Sequence, residues 1–158
     1  MMISKLMESE KIVMIVNKSF LTVAQTFGYT KETVPSFPAF IGKDVIDEQI
    51  DNGLKMFGYF ENSELIGVAG YNHHHENIYM IKRLAVLPQY RHKGVGKVLI
   101  EHVENQILME KGEIAEVEIV NNNLQLKNWY KKLGYEEIRI DNYDNLPFKA
   151  CVMDKCLL

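Results

Sequence analysis

Between Ile78 and Ile107 the chain switches from one hydrophobic pattern to another, and this switch constrains the fold more than any other feature. Ile78 to Leu87 is an almost unbroken apolar run that reads as a strand, and Pro88 ends it. Val95, Val98, Leu99, Val103 and Ile107 then recur at helical spacing. The two are joined by Arg91-His92-Lys93-Gly94-Val95-Gly96, which places two glycines where strand gives way to helix. Glycine lets the backbone approach a ligand closely, and the first-turn N–H groups of a helix have no acceptor inside it. Those amides, with the positive end of the helix dipole, suit phosphate oxygens. Arg91, His92, Lys93 and Lys97 add positive charge at the same corner.

The pattern predicts a pyrophosphate site on the amides of His92 through Lys97. Taken alone, the loop has a plain tight turn as its alternative reading. Two competing nucleotide loops are excluded by spacing. Lys97 is followed by Val98, not by the Ser or Thr of a nucleoside-triphosphate loop. Position 99 is leucine, so the third glycine of a dinucleotide fingerprint is missing.

Elsewhere the patterning predicts an α/β domain with a mixed sheet. A helix is expected over residues 10–27, buried through Val13, Val16, Phe20, Val23, Ala24 and Phe27. Ser9 is its candidate N-cap and Gly28 its stop, although Ile12 to Val16 is β-branched enough to begin a strand. Tyr29 to Gly42, with Pro35 and Pro38, reads as an ordered loop; Asp44 could cap a second helix buried through Ile46, Ile50 and Leu54. Residues 56–60 and 65–72 read as a hairpin around Glu61-Asn62-Ser63-Glu64. After the helix at about 94–111, Ile114 to Val120 alternates as a strand, with Ala115, Val117 and Ile119 inward and Glu116 and Glu118 outward. Strand, helix and strand in that order form a right-handed crossover, so the strands at 78–87 and 114–120 should run parallel. Leu126, Trp129, Tyr130 and Leu133 mark a short helix stopped by Gly134; 135–140 and 149–156 read as a closing antiparallel pair.

The 158 residues suffice for one domain with its own core. With 18 basic and 21 acidic residues the net charge is −3, which argues against general nucleic-acid binding. No apolar run approaches the ~20 residues of a membrane span, and Lys5, Glu8, Glu10 and Lys11 interrupt any secretion signal. Cys151 and Cys156 lie five positions apart on one candidate strand, facing opposite sides, so two reduced thiols in a cytoplasmic protein are expected.

Two blocks of this chain together resemble the GNAT superfamily of acyl-CoA-dependent N-acetyltransferases. One is Arg91-x-x-Gly94-x-Gly96 after Arg83-Leu84-Ala85-Val86-Leu87-Pro88; the other is Asn123-x-x-Leu126-x-x-Trp129-Tyr130-x-x-Leu133-Gly134-Tyr135. They stand in the family's order, one helix and one strand apart. The resemblance is good over about 56–140 and loose over the first 55 residues. It implies a single GNAT-like acetyltransferase domain over 1–158, with a mixed, mostly antiparallel sheet whose parallel central pair splays apart. The pantetheine arm of acetyl-CoA would bond to backbone groups of Leu84, Ala85 and Val86, which splayed strands leave unpaired. Asn123 would bond pantetheine, cap the helix beginning at Leu124, or both.

By the same resemblance Tyr130 is the candidate general acid beside the CoA sulfur; the alternative, as a residue of the helix stripe, is a core aromatic. A phenol titrating near ~10 can protonate a thiolate whose acid titrates near ~8.5 with only a modest uphill step. The base is the departure from the pattern. Many relatives carry glutamate where this chain has Lys82, and lysine is a poor base unless desolvation lowers its pKa. His73, His74, His75 and Glu76, expected in an exposed turn, and Glu116 and Glu118 are the substitutes; a substrate amine arriving neutral would need none. No metal is expected, since adjacent histidines diverge and no ligand cluster completes a shell. The implied activity is transfer of acetyl from acetyl-CoA to a primary amine of a small molecule or peptide, with no nucleic-acid or membrane partner. A non-catalytic acyl-CoA-binding module is the alternative that Lys82 keeps open, and homodimerisation is a habit of the family only.

Overall fold

The switch from strand to helix after residue 87 gives a mixed sheet with one parallel pair. In a computed structural model describing all residues from Met1 to Leu158, the elements are β1 (Met2–Lys5), α1 (Ser9–Phe27), α2 (Lys43–Asp51), β2 (Lys55–Glu61), β3 (Glu64–His75), β4 (Ile78–Val86), α3 (Val95–Met109), β5 (Ile114–Val120), α4 (Leu124–Lys132), β6 (Glu136–Asn142) and β7 (Lys149–Cys156). The strand order is β1-β2-β3-β4-β5-β7-β6. As the crossover requires, β4 and β5 are parallel, with Ile78, Tyr79 and Met80 opposite Ile114, Ala115 and Glu116. The chain divides into two compact units, Met1–Asn72 with Lys82–Val103, and His73–Ile81 with Glu104–Leu158. No helix is long and apolar enough to cross a membrane.

In the first unit, the core gathers Ile12, Ile15, Val16, Ile46, Met56, Val68 and Ala85. The buried line of α1 runs through Ile12, Ile15, Val16, Ser19 and Ala24, so Val16 and Ala24 of the expected stripe are buried while Val13, Phe20, Val23 and Phe27 lie half-buried beside them. Ser9 is not the N-cap. Glu8 holds that position without a side-chain cap, and the Ser9 hydroxyl instead bonds to Asp47 of α2. Gly28 does end α1, in a left-handed conformation that donates back to Ala24. Asp44 is likewise not a cap; Gly42 is, and Asp44 sits in the first turn. The loop from Tyr29 includes a short 3₁₀ turn at Pro38–Phe40.

The β2–β3 hairpin turns at Asn62 and Ser63, both at positive φ, the geometry of a tight primed turn. β1 was not legible in the sequence. It is four residues long and pairs with residues 57–60 of β2 at the sheet edge.

In the second unit, β3 continues to His75, so the three histidines are strand residues and not a turn. The turn is Glu76-Asn77, with Glu76 at positive φ, and the Asn77 carbonyl accepts from Glu113 and Ile114 to start β5 beside β4. β5 pairs with β7 along all seven residues. Its expected wet face is only half wet: Glu118 is exposed, whereas Glu116 is 4% exposed. Glu116 lies opposite Asp154, and Arg139 of β6 approaches it to 3.8 Å. Both cysteines are free thiols, Cys151 buried and Cys156 exposed.

Candidate cofactor corner and candidate proton donor

In the first unit, β4 is irregular just before the residues assigned to pantetheine. Arg83 has φ 59°, a left-handed conformation costing a non-glycine residue about 1–3 kcal/mol, and one that bends a strand as a bulge does. Its Nε donates to Gln49 Oε1 of α2 at 3.0 Å, so this left-handed residue is tied to a neighbouring helix. Burial lowers its guanidinium pKa without removing its charge at neutral pH. Beyond it come Leu84, buried Ala85 and Val86. Gly67 of β3 makes room for them: a Cβ there would lie 3.0 Å from Leu99 Cδ1 and 3.3 Å from the Ala85 carbonyl oxygen.

A 3₁₀ turn over Pro88–Tyr90 then delivers the chain to the 91–97 corner. His92 at φ 61° and Gly94 at φ 85° both take the left-handed conformation, and nothing lies within 4 Å of a Cβ placed on Gly94. The amides of His92 through Lys97 donate to no acceptor in the protein; Val98 is the first to bond, to the Gly94 carbonyl at 3.1 Å. Successive unpartnered amides at the start of a fifteen-residue helix make a concavity of the kind that suits an anion. His92, Lys93, Gly94 and Lys97 are exposed. Lys97 has only a loose pairing to Glu101 at 3.9 Å, and the Lys93 ammonium lies 5.6 Å from the Tyr90 ring.

Arg91 is engaged inward. Its Nη1 donates to Thr22 Oγ1 at 2.9 Å, its Nη2 to the Ser19 carbonyl and hydroxyl, and its Nε to the Val86 carbonyl at 3.4 Å. The guanidinium therefore ties the corner to α1.

In the second unit, Asn123 caps α4, its Oδ1 accepting from Leu126 N at 3.2 Å. Tyr130, on the same helix, is 4% exposed. Its ring meets Trp129 and Tyr135 edge to face, at 5.0 and 5.3 Å between centroids. Burial pushes its phenol pKa far above the ordinary range, so the hydroxyl stays protonated, and it donates to nothing within the protein.

Of the substitute bases, His73 bonds the Glu76 carbonyl at 2.8 Å, Glu116 is buried, and Glu118 accepts from Tyr143 Oη at 2.6 Å. Lys82 is half-buried on β4. No group of three or more His, Cys, Asp or Glu side chains is arranged to hold a metal ion. Sequence reasoning missed the left-handed Arg83, buried Lys127 with its bonds to Asn121 and Glu137, and buried Glu104. A charged residue inside a helical stripe was the only available signal for the last two.

Comparison with known proteins adds the family. A profile described as an acetyltransferase (GNAT) domain matches residues 25–149. The chain belongs to the GNAT acetyltransferase family. An uncharacterized N-acetyltransferase of Chlorobaculum tepidum is 34% identical over 71 residues, covering 45% of this chain and 43% of that relative's own length. Among solved structures, the PaiA N-acetyltransferase of Thermoplasma acidophilum in complex with coenzyme A superposes with a TM-score of 0.74 at 19% identity, covering 99% of each chain. The ribosomal-protein-S18-alanine N-acetyltransferase of Escherichia coli does so with 0.74 at 16% identity, covering 99% of this chain and 93% of that one. At such identities the two structures establish a shared GNAT fold.

Proposed function

We propose that this GNAT protein transfers the acetyl group of acetyl-CoA to a primary amine. The observation that carries the reading is the run of six unpartnered amides from His92 to Lys97, opening α3 behind two left-handed residues. A pyrophosphate gives each of them an acceptor, with Lys93 and Lys97 supplying charge and Leu84, Ala85 and Val86 supplying backbone partners for pantetheine. Asn123, already a helix cap, is a further candidate for the pantetheine amides. Residues 1–158 are read as one acetyltransferase domain in function.

In the reaction the amine nitrogen attacks the thioester carbonyl carbon, a C–N bond forms and the C–S bond breaks. The amine loses a proton, and the sulfur gains one from Tyr130. Burial makes Tyr130 a weaker acid than a free phenol, and it also keeps the proton in place until a thiolate appears. A thiolate released into apolar surroundings is penalised in the same direction, which keeps the proton transfer close to matched. Glu118 is the strongest candidate base among the acidic residues of β5, because it is exposed while Glu116 is buried against Asp154.

Small amines and peptide N-termini are both candidate acceptors; one structural neighbour is named for an alanine of a ribosomal protein. A second reading, an acyl-CoA-binding module without turnover, is favoured by Lys82, a poor base at the position where the family resemblance implies a glutamate. Thiol release from acetyl-CoA, measured against a panel of polyamines, aminoglycosides and alanine-terminated peptides with a no-acceptor control, separates the two. Acceptor-dependent release supports the enzyme. Binding of acetyl-CoA with no release against any amine supports the module.

A further inference from the structure

In the second unit, a charged network centred on buried Glu104 has no part in the acyl transfer itself. Glu104 of α3 is 7% exposed, and both its oxygens are engaged. Tyr135 Oη donates to Oε2 at 2.8 Å, and Lys155 Nζ lies 3.1 Å from Oε1 and 3.0 Å from Oε2. The Lys155 ammonium also sits 5.7 Å from the centre of the Tyr135 ring. Its stem runs along Gly134, where a Cβ would approach Lys155 Cε to 3.3 Å. An ion pair that buries one carboxylate and half-buries its lysine contributes little stability compared with apolar side chains of the same volume, so this one invites a positional explanation.

The geometry around the two tyrosines supplies it. Tyr135 is 1% exposed, and its hydroxyl is engaged with Glu104. Tyr130 is held edge to face between the Tyr135 ring at 74° and the Trp129 ring at 75°, with no bond to its own hydroxyl. Trp129 is a half-buried ring without a polar anchor, whereas Tyr135 is fixed by a charge-assisted hydrogen bond.

We infer that Glu104, Lys155 and Tyr135 are positioning residues that act through the Tyr135 ring to hold Tyr130 in the one orientation from which its free hydroxyl can serve the departing sulfur. The inference rests on the reading of Tyr130 as proton donor. It predicts that loosening the Tyr135 hydroxyl loosens Tyr130 without disturbing the rest of the unit.

The test is ring-flip NMR on protein carrying ¹³C-labelled tyrosine, with thiol release from acetyl-CoA in water read in parallel. Tyr135→Phe keeps the ring and removes its anchor. The Tyr130 flip rate should rise by about tenfold, the effect of roughly one lost hydrogen bond, while Tyr79 in the same unit keeps its rate. Glu104→Leu should behave alike, and Glu104→Gln, which retains an acceptor oxygen, should restore slow flipping; if the leucine variant does not fold, Tyr135→Phe decides. An unchanged Tyr130 flip rate, or equal acceleration at Tyr79, overturns the positioning role. Where the flip rate rises, Tyr135→Phe should lower thiol release on its own and add nothing to Tyr130→Phe. Independent losses overturn positioning alone. Release that Tyr130→Phe leaves untouched removes the donor reading and this inference with it.

Discussion

Tyr130 and Tyr135 are both nearly fully buried, yet one hydroxyl is held by a carboxylate and the other bonds to nothing in the protein. Only the second is free to donate to a ligand. Tyr130→Phe removes that proton while keeping the ring contacts. It should therefore lower kcat by about 100-fold, the scale of a lost general acid, and leave the Kd for acetyl-CoA within a factor of two. Steady-state kinetics beside calorimetric binding checks the split.

Asp154 makes a different point at the same scale. Desolvation first, and then the shared hydrogen bond and charge of Glu116, push its carboxyl up to about 7, while Arg139 opposes the shift. An unfolded aspartate loses its proton near ~3.9, so between roughly pH 4 and 7 the folded state binds more protons than the unfolded one. Stability from this group is thus greatest at low pH and falls as pH rises through that window. Asp154→Asn should raise Tm at pH 8, with the difference from wild type shrinking toward pH 4 in thermal melts across that range. The sequence showed Glu116 as the outward residue of an alternating strand. Cross-strand neighbours on that face, Asp154 of β7 and Arg139 of β6, crowd around it, which a period-two pattern alone does not reveal.

At the level of elements, the strand–corner–helix from Ile78 to Met109 was legible because two periods and a proline mark its joints. That the amides of that corner lack partners was legible too, since an uncapped helix start follows from chain geometry. The side chains were less so. Arg91 reads as a phosphate ligand in sequence, but its guanidinium grips Ser19 and Thr22 of α1. Arg91→Ala should therefore destabilise the protein with no ligand present, by about 1–3 kcal/mol for hydrogen bonds of a charged group. At roughly 2–4 °C per kcal/mol the fall in Tm is readily measured by calorimetry, and a role confined to phosphate would leave the unliganded Tm unchanged. β1 escaped notice for the complementary reason: a four-residue edge strand carries too few positions to show a period.

For the whole molecule, the proposed activity requires that acetyl-CoA bind the folded chain and not the unfolded one. At a hundred times its Kd such a ligand stabilises by about 2.7 kcal/mol, so Tm should rise by roughly 5–10 °C. Equal melting curves with and without saturating acetyl-CoA would remove the corner as a binding site. The sequence by itself determined the α/β class, the parallel pair, the corner's unpartnered amides and the short helix that carries Tyr130, because each depends on local period, turn chemistry or the covalent limits of a helix end. Tertiary structure alone decided which charges go inside. Glu104 with Lys155, Glu116 with Asp154, and Arg91 with α1 are joined by contacts between residues 38 to 72 positions apart. Pairings over such distances leave no period in the chain, since they depend on which strands and helices become neighbours.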